Sequence, residues 1–171
     1  TVSGDLTVND AATVSGDLTV NGAATKFSSG TQDKPVVKFE NTGNDASGPI
    51  LQLINDRPDT SAGAANDVNG LIQFHGDNAN SELTMFAEIQ SQVKVHTDGE
   101  EGGNLTISVA EHDGTSPAGL VIEDGSADGE LDVTIGAGVA SLTTVSGDLT
   151  VNGEATKFSS GTQDKPVVKF E

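Results

Sequence analysis

The sequence predicts an all-β chain that is elongated and completes its hydrophobic interior by association with copies of itself. Three observations carry this. The stretch TVSGDLTVNGAATKFSSGTQDKPVVKFE runs from Thr13 to Glu40 and returns from Thr144 to Glu171, an offset of 131, with 27 of 28 positions identical and only Ala23 replaced, by Glu154. Apolar residues alternate with polar ones through most of the chain, the period of a strand with one buried face. Hydrophobic residues are 34% of the chain, and its aromatics are six Phe with no Trp or Tyr, so one copy has little from which to build a core.

Near-verbatim repetition is what an array requires. Stacked units contact mainly their neighbours, and self-similarity at a fixed period is their signature. A shorter period is nested inside the long one, because TVSGDLTVN stands at Thr1 to Asn9 and again at Thr13 to Asn21. The chain begins mid-pattern and stops at Glu171, where the first copy continues into Asn41-Thr42-Gly43, so it reads as a window on a longer polypeptide. Three segments follow: a thin β-repeat over 1–40, a broader β-module over 41–130, and a second thin segment over 131–171 that repeats 13–40.

In the first segment Asp5 to Asn9 and Asp17 to Asn21 read as short strands ended by turns such as Asn21-Gly22. Units of about 12 residues cannot bury a face alone. They suit a chain wound on a threefold axis, and the residues expected to line it are Leu6, Val8, Leu18, Val20, Leu149 and Val151. Pro35 lacks an amide donor and so belongs at the start or edge of the strand-like run Lys34 to Phe39. The broader module opens with the apolar run Ile50 to Ile54, followed by a turn-rich loop from Asn55 to Asn69 and a strand over Leu71 to Phe74. Between Leu83 and Val95, spacing two places Leu83, Met85, Ala87, Ile89, Ser91, Val93 and Val95 on one face, whereas helical spacing is broken at Gln90. A strand is therefore expected, with a helix starting at Ser81-Glu82 as the competitor. Asp-Gly pairs at 98–99, 113–114, 124–125 and 128–129 then separate the runs Leu105 to Val109, Leu120 to Ile122 and Leu131 to Ile135, which is a hairpin pattern.

The pieces Gly70-Leu-Ile-Gln-Phe-His-Gly-Asp-Asn-Ala-Asn, Phe86-Ala-Glu-Ile-Gln, His96-Thr-Asp-Gly-Glu-Glu-Gly-Gly-Asn-Leu-Thr and Gly119-Leu-Val-Ile-Glu-Asp-Gly resemble modules of tail-fibre and virion structural proteins of tailed phages, marine ones especially. The similarity spans roughly 34–125. The flanking Ser-Gly-Asp-Leu-Thr-Val-Asn-Gly repeats are similar to shaft repeats of phage fibres and of some bacterial surface proteins. The resemblance implies an elongated homotrimeric fibre of intertwined or triangular β-helix or β-prism repeats, serving host attachment, and it supplies no catalytic residues. It departs from many such modules in showing neither an intramolecular chaperone nor a receptor-binding tip.

Charge narrows the partners. Eight Lys and Arg against 26 Asp and Glu give −18, which repels nucleic-acid phosphates and anionic membrane surfaces. No apolar run approaches the about 20 residues that span a bilayer, and the chain has no Cys to form disulfides or thiolate metal sites. Asp124-Gly125-Ser126-Ala127-Asp128-Gly129-Glu130 begins like a calcium loop, but its twelfth position is Ile135 where a bidentate Glu is needed. A divalent cation is thus conceivable there, while a solvated turn is the plainer reading and no cofactor is expected. His75, His96 and His112 lie beside acids without metal-binding spacing. Glu100 and Glu101 could pair as glycosidase carboxylates, yet 26 acids make chance pairs inevitable, and no enzyme activity is expected. Gly136-Ala137-Gly138 and Glu101-Gly102-Gly103 lack the Lys of a phosphate loop, and tight packing near an axis accounts for them better. The sequon Asn104-Leu105-Thr106 matters only in a eukaryotic secretory route.

The function these features predict is the shaft of a fibrous virion appendage, a phage tail fibre, outside the cell. Its partners would be two further copies of itself, and a host-surface glycan or protein bound through parts outside this segment. The alternative is the stalk of a bacterial surface adhesin that binds through the Asn55 to Asn69 loop.

Overall fold

A computed structural model describes residues 8, 12–21, 25–44, 46–58 and 61–152. The chain divides into two compact units, Thr1–Leu51 and Gln52–Glu171.

The described residues of the first unit carry no helix and no strand. Local polar bonds shape it. The Ser29 hydroxyl accepts from the Thr31 amide at 3.0 Å before a turn in which Asp33 has φ 59°. Asn41 accepts from Gly43 N–H and donates to Ser47 C=O, both at 2.8 Å. The strand expected over Asp17 to Asn21 is absent from the single chain, as is any strand over Lys34 to Phe39. Alternation supplies a strand with a face but not with a ladder partner, and two-residue apolar repeats stay unpaired unless another strand lies alongside. The strand expected at Asp5 to Asn9 lies outside the described residues, except for Val8.

The second unit is an antiparallel meander of five strands in sequence order. These are β1 (Val68–Asp77), β2 (Leu83–Val95), β3 (Gly102–Val109), β4 (Ala118–Asp124) and β5 (Leu131–Ile135). The strand reading of Leu83 to Val95 holds to the residue, as does that of Leu131 to Ile135. β5 pairs with β4 through Leu120↔Ile135, Ile122↔Val133 and Asp124↔Leu131, so the sheet runs past the 130/131 boundary expected between module and shaft. Among the described residues there is no helix, and so none able to cross a membrane.

The hairpin turns use the chemistry that the Asp-Gly pairs announce. Gly99, Gly114 and Gly129 take positive φ, the conformation that tight turns demand of a residue without Cβ. At the β1–β2 turn Ser81 takes φ 61° and Asn78 does the bonding, accepting from the amides of Asn80 at 2.9 Å and Glu82 at 3.0 Å. Gly125 differs. A Cβ there would lie 2.3 Å from Glu130 Cγ, so its smallness makes room for a side chain.

Register decides what each face carries, because paired residues share a face. The pairings Ile72↔Ile89, Ile89↔Ile107, Ile107↔Leu120 and Leu120↔Ile135 build one aliphatic row across all five strands. Beside it run Ser91, Leu105, Ile122 and Val133 on one side, and Phe74, Ala87 and Val109 on the other. The opposite face is mostly polar, with Gln73 donating to Glu88 at 2.7 Å and Lys94 paired with Glu123 at 3.1 Å. Leu71 and Val121 are its apolar exceptions, while Phe86 is skipped by the register shift between Phe74 and His75 and a Cβ at Gly76 would meet its ring at 3.4 Å. The sheet is amphipathic, yet no hydrophobic side chain among the described residues is buried.

Candidate assembly surface

Of the six side chains expected to line a threefold axis, Leu6 lies outside the described residues. Leu18 and Leu149 are each 72% exposed, Val20 is 57% and Val151 55% exposed, and Val8 is exposed as well. Equivalent positions of the two copies thus present equal apolar surface, as identical local sequence requires. In the sheet, Ile89, Ile107, Leu120 and Ile122 are half-buried by their own neighbours, while Ile72, Phe74, Val109 and every apolar residue of β5 are open.

Chain from the second unit covers this face at one corner. A Cβ at Gly70 would meet Leu53 Cβ at 2.7 Å, so the missing side chain lets Leu53 lie flat on the strand. Asn55 continues the attachment by donating to Val68 C=O at 2.8 Å. Arg57 then pairs with Asp67, whose second oxygen accepts from Ala64 N–H at 2.8 Å. The Ala64 amide, followed by the Arg57 guanidinium, holds the Asp67 carboxyl below its ordinary value. The loop expected as a binding element is therefore closed on itself, around a hollow of about 260 Å³ bordered by Asn55, Arg57, Asp67 and Asn69.

The other candidates resolve into turn chemistry. Glu130 folds back on its own hairpin, its carboxylate accepting from the Ser126 amide at 2.7 Å and hydroxyl at 3.0 Å, which lower its pKa. It is thereby committed to the backbone of the loop read as calcium-like. Among the described residues no three His, Asp or Glu side chains converge to hold a metal ion. Glu101 accepts from Gly99 N–H at 3.1 Å and is likewise lowered by backbone donors, its own amide first. A glycosidase general acid needs the opposite shift. His75 stands 3.4 Å from the Gln73 amide oxygen, and all three histidines are exposed.

Gly102 and Gly103, expected to pack tightly, behave in opposite ways. Gly102 is buried, and a Cβ there would lie 2.5 Å from an Asp124 carboxylate oxygen. Gly103 opens onto a hollow. The aliphatic row and the Leu53 seat were not foreseen from sequence. The row could have been, since the parity of each strand and the hairpin pairing place those five residues side by side.

The family described as repeats of unknown function (DUF5649) matches residues 1–52. No curated protein and no solved structure matches the chain.

Proposed function

We propose that this chain is a structural segment of a fibrous homotrimer, the shaft of a virion appendage of the phage tail-fibre kind, which works by holding an attachment tip away from the particle. The observation that carries the reading is a sheet whose five-strand aliphatic row is uncovered, in a chain that buries no hydrophobic side chain among its described residues. Such surface is costly in water, about 25 cal/mol per Å², and sister chains are the partners that a sequence repeating on two scales always has at hand. The match to a family of repeats over 1–52 supports an array. In the assembly, apolar faces meet at the axis, the thin repeats form β-helix or β-prism turns, and acidic turns face the outside.

Sedimentation of the purified chain tests this. A stable trimer is expected for the native sequence, and a monomer for Leu18→Asp combined with Leu149→Asp. A native chain that stays monomeric at every concentration would overturn the reading and favour a single-chain surface stalk.

A further inference from the structure

The apolar face of the sheet is not flat. At one end Gly103 contributes no side chain, and the resulting hollow of about 350 Å³ is bordered by Asn69, Val93, Val95, His96 and, at its rim, Glu101. At the other end β5 raises a ridge of Leu131, Val133 and Ile135, which share the face by register and are 57 to 69% exposed. We propose that the β5 ridge of one copy seats in the Gly103 hollow of the next, making the broader module an interface between copies in its own right, additional to the thin repeats and resting on the trimer reading above.

Charge and area both select a second copy as the occupant. Each chain carries −18, so two copies approach at least cost through a face with little charge. Within the rows named above Asp124, which leans toward Gly102, is the one charged residue on this face, and Glu101 at the rim of the hollow is engaged by Gly99 N–H, whereas Glu88, Glu123, Asp132 and Lys94 stand on the other face. Five strands about 4.8 Å apart, with four rows of side chains about 6.8 Å apart, span on the order of 600 Å². That is the upper end of what a monomer leaves open and close to the about 800 Å² per partner of a stable interface. Hollow and ridge are different patches of one molecule, so the contact is head-to-tail, and such contacts close into a ring when the rotation permits. Three copies close it here.

The glycine supplies a clean test. A Cβ added at Gly103 meets no atom within 4 Å, and its φ is not positive, so Gly103→Leu fills the hollow from within its own chain without straining the strand. Analytical ultracentrifugation of the full chain should show association weakened at least tenfold for Gly103→Leu and for Leu131→Ser. Thr134→Leu, on the opposite face of β5, should associate like the native chain, and far-ultraviolet circular dichroism should show the sheet retained in all three. A native trimer that both variants leave intact would overturn this interface while the trimer reading stands. A monomeric native chain overturns that reading itself, and if the monomer's face binds an apolar dye, a different occupant belongs there. Because the chain has no Cys, cross-linking gives a second readout independent of variant stability. Gly103→Cys chains mixed with Leu131→Cys chains should be joined by a short bismaleimide, and failure to join them counts against the seat.

Discussion

Gly102, the first residue of β3, shows how little room its surroundings leave. Gly102→Ala places a methyl against the Asp124 carboxylate, and a misfit of that kind costs roughly 1–3 kcal/mol, which a thermal melt would register as a lower Tm. Asn104 invites the opposite change. Its Oδ1 is out of solvent with no hydrogen-bond partner, between Gln92 and Glu123 on the polar face. An orphan acceptor costs about 1–3 kcal/mol and Val favours strands, so Asn104→Val should raise Tm. The carboxylates set a pH dependence. Asp67, Glu101, Asp113 and Glu130 are all held below their ordinary values, chiefly by backbone amides. A group lowered in the folded state contributes stability that is complete above its unfolded value, 3.8 for Asp and 4.5 for Glu, and that is lost as pH falls through the folded one. Hydrogen-exchange protection of the Ala64, Gly99, Thr115 and Ser126 amides, corrected for the intrinsic pH dependence, should therefore be unchanged from neutrality to about pH 5 and should fall below about pH 4.5. Uniform exchange behaviour of these amides across that range would remove the four carboxylates from the account of turn stability.

Among the elements, the central strand β3 carries the most consequence. Ile107 stands between Ile89 and Leu120, so Ile107→Ala removes cross-strand packing on both sides at once. In an open sheet such pairs are worth roughly 0.2–1 kcal/mol each; beneath a sister sheet the same truncation costs about 2–5 kcal/mol. The larger loss is expected, with a melting temperature that depends on chain concentration. The strands themselves were legible in the sequence because period two is unambiguous over a run as long as Leu83 to Val95, and because Asp-Gly fixes where hairpins reverse. The thin repeats were legible as pattern alone. Leu18 and Val20 alternate as β2 does, but among the described residues no neighbour offers them a ladder, and pairing is a property of two strands. The Leu53 seat and the Arg57–Asp67 clip were hidden for a different reason. Both join segments 10 or more residues apart through single side chains, and nothing periodic marks such contacts. The calcium-like spacing marked a turn, and what spacing did not show is that Glu130 closes this turn with a carboxylate of its own.

For the whole molecule, the balance lies between apolar surface that favours association and −18 charges per chain that oppose it. Gathering the acids on turns and on the polar face of the sheet separates the two terms in space, so copies in contact through apolar faces keep their carboxylates in water. Repulsion between exposed like charges is screened over about 10 Å at 0.1 M salt and about 30 Å at 0.01 M, whereas burial of apolar surface is nearly indifferent to salt in this range. Association should therefore tighten as NaCl rises from 0.01 to 0.15 M, with the apparent dissociation constant falling by tenfold or more, against the direction expected of an assembly held by ion pairs. Among the described residues Lys38, Arg57 and Lys94, three of the eight basic residues, are already paired within their own chain, which leaves few cations to bridge copies and strengthens the expected sign. Sedimentation equilibrium across that salt series measures it. Dissociation on adding salt would mean that charge holds the copies together, and the apolar face would then have to be covered by something other than a sister chain.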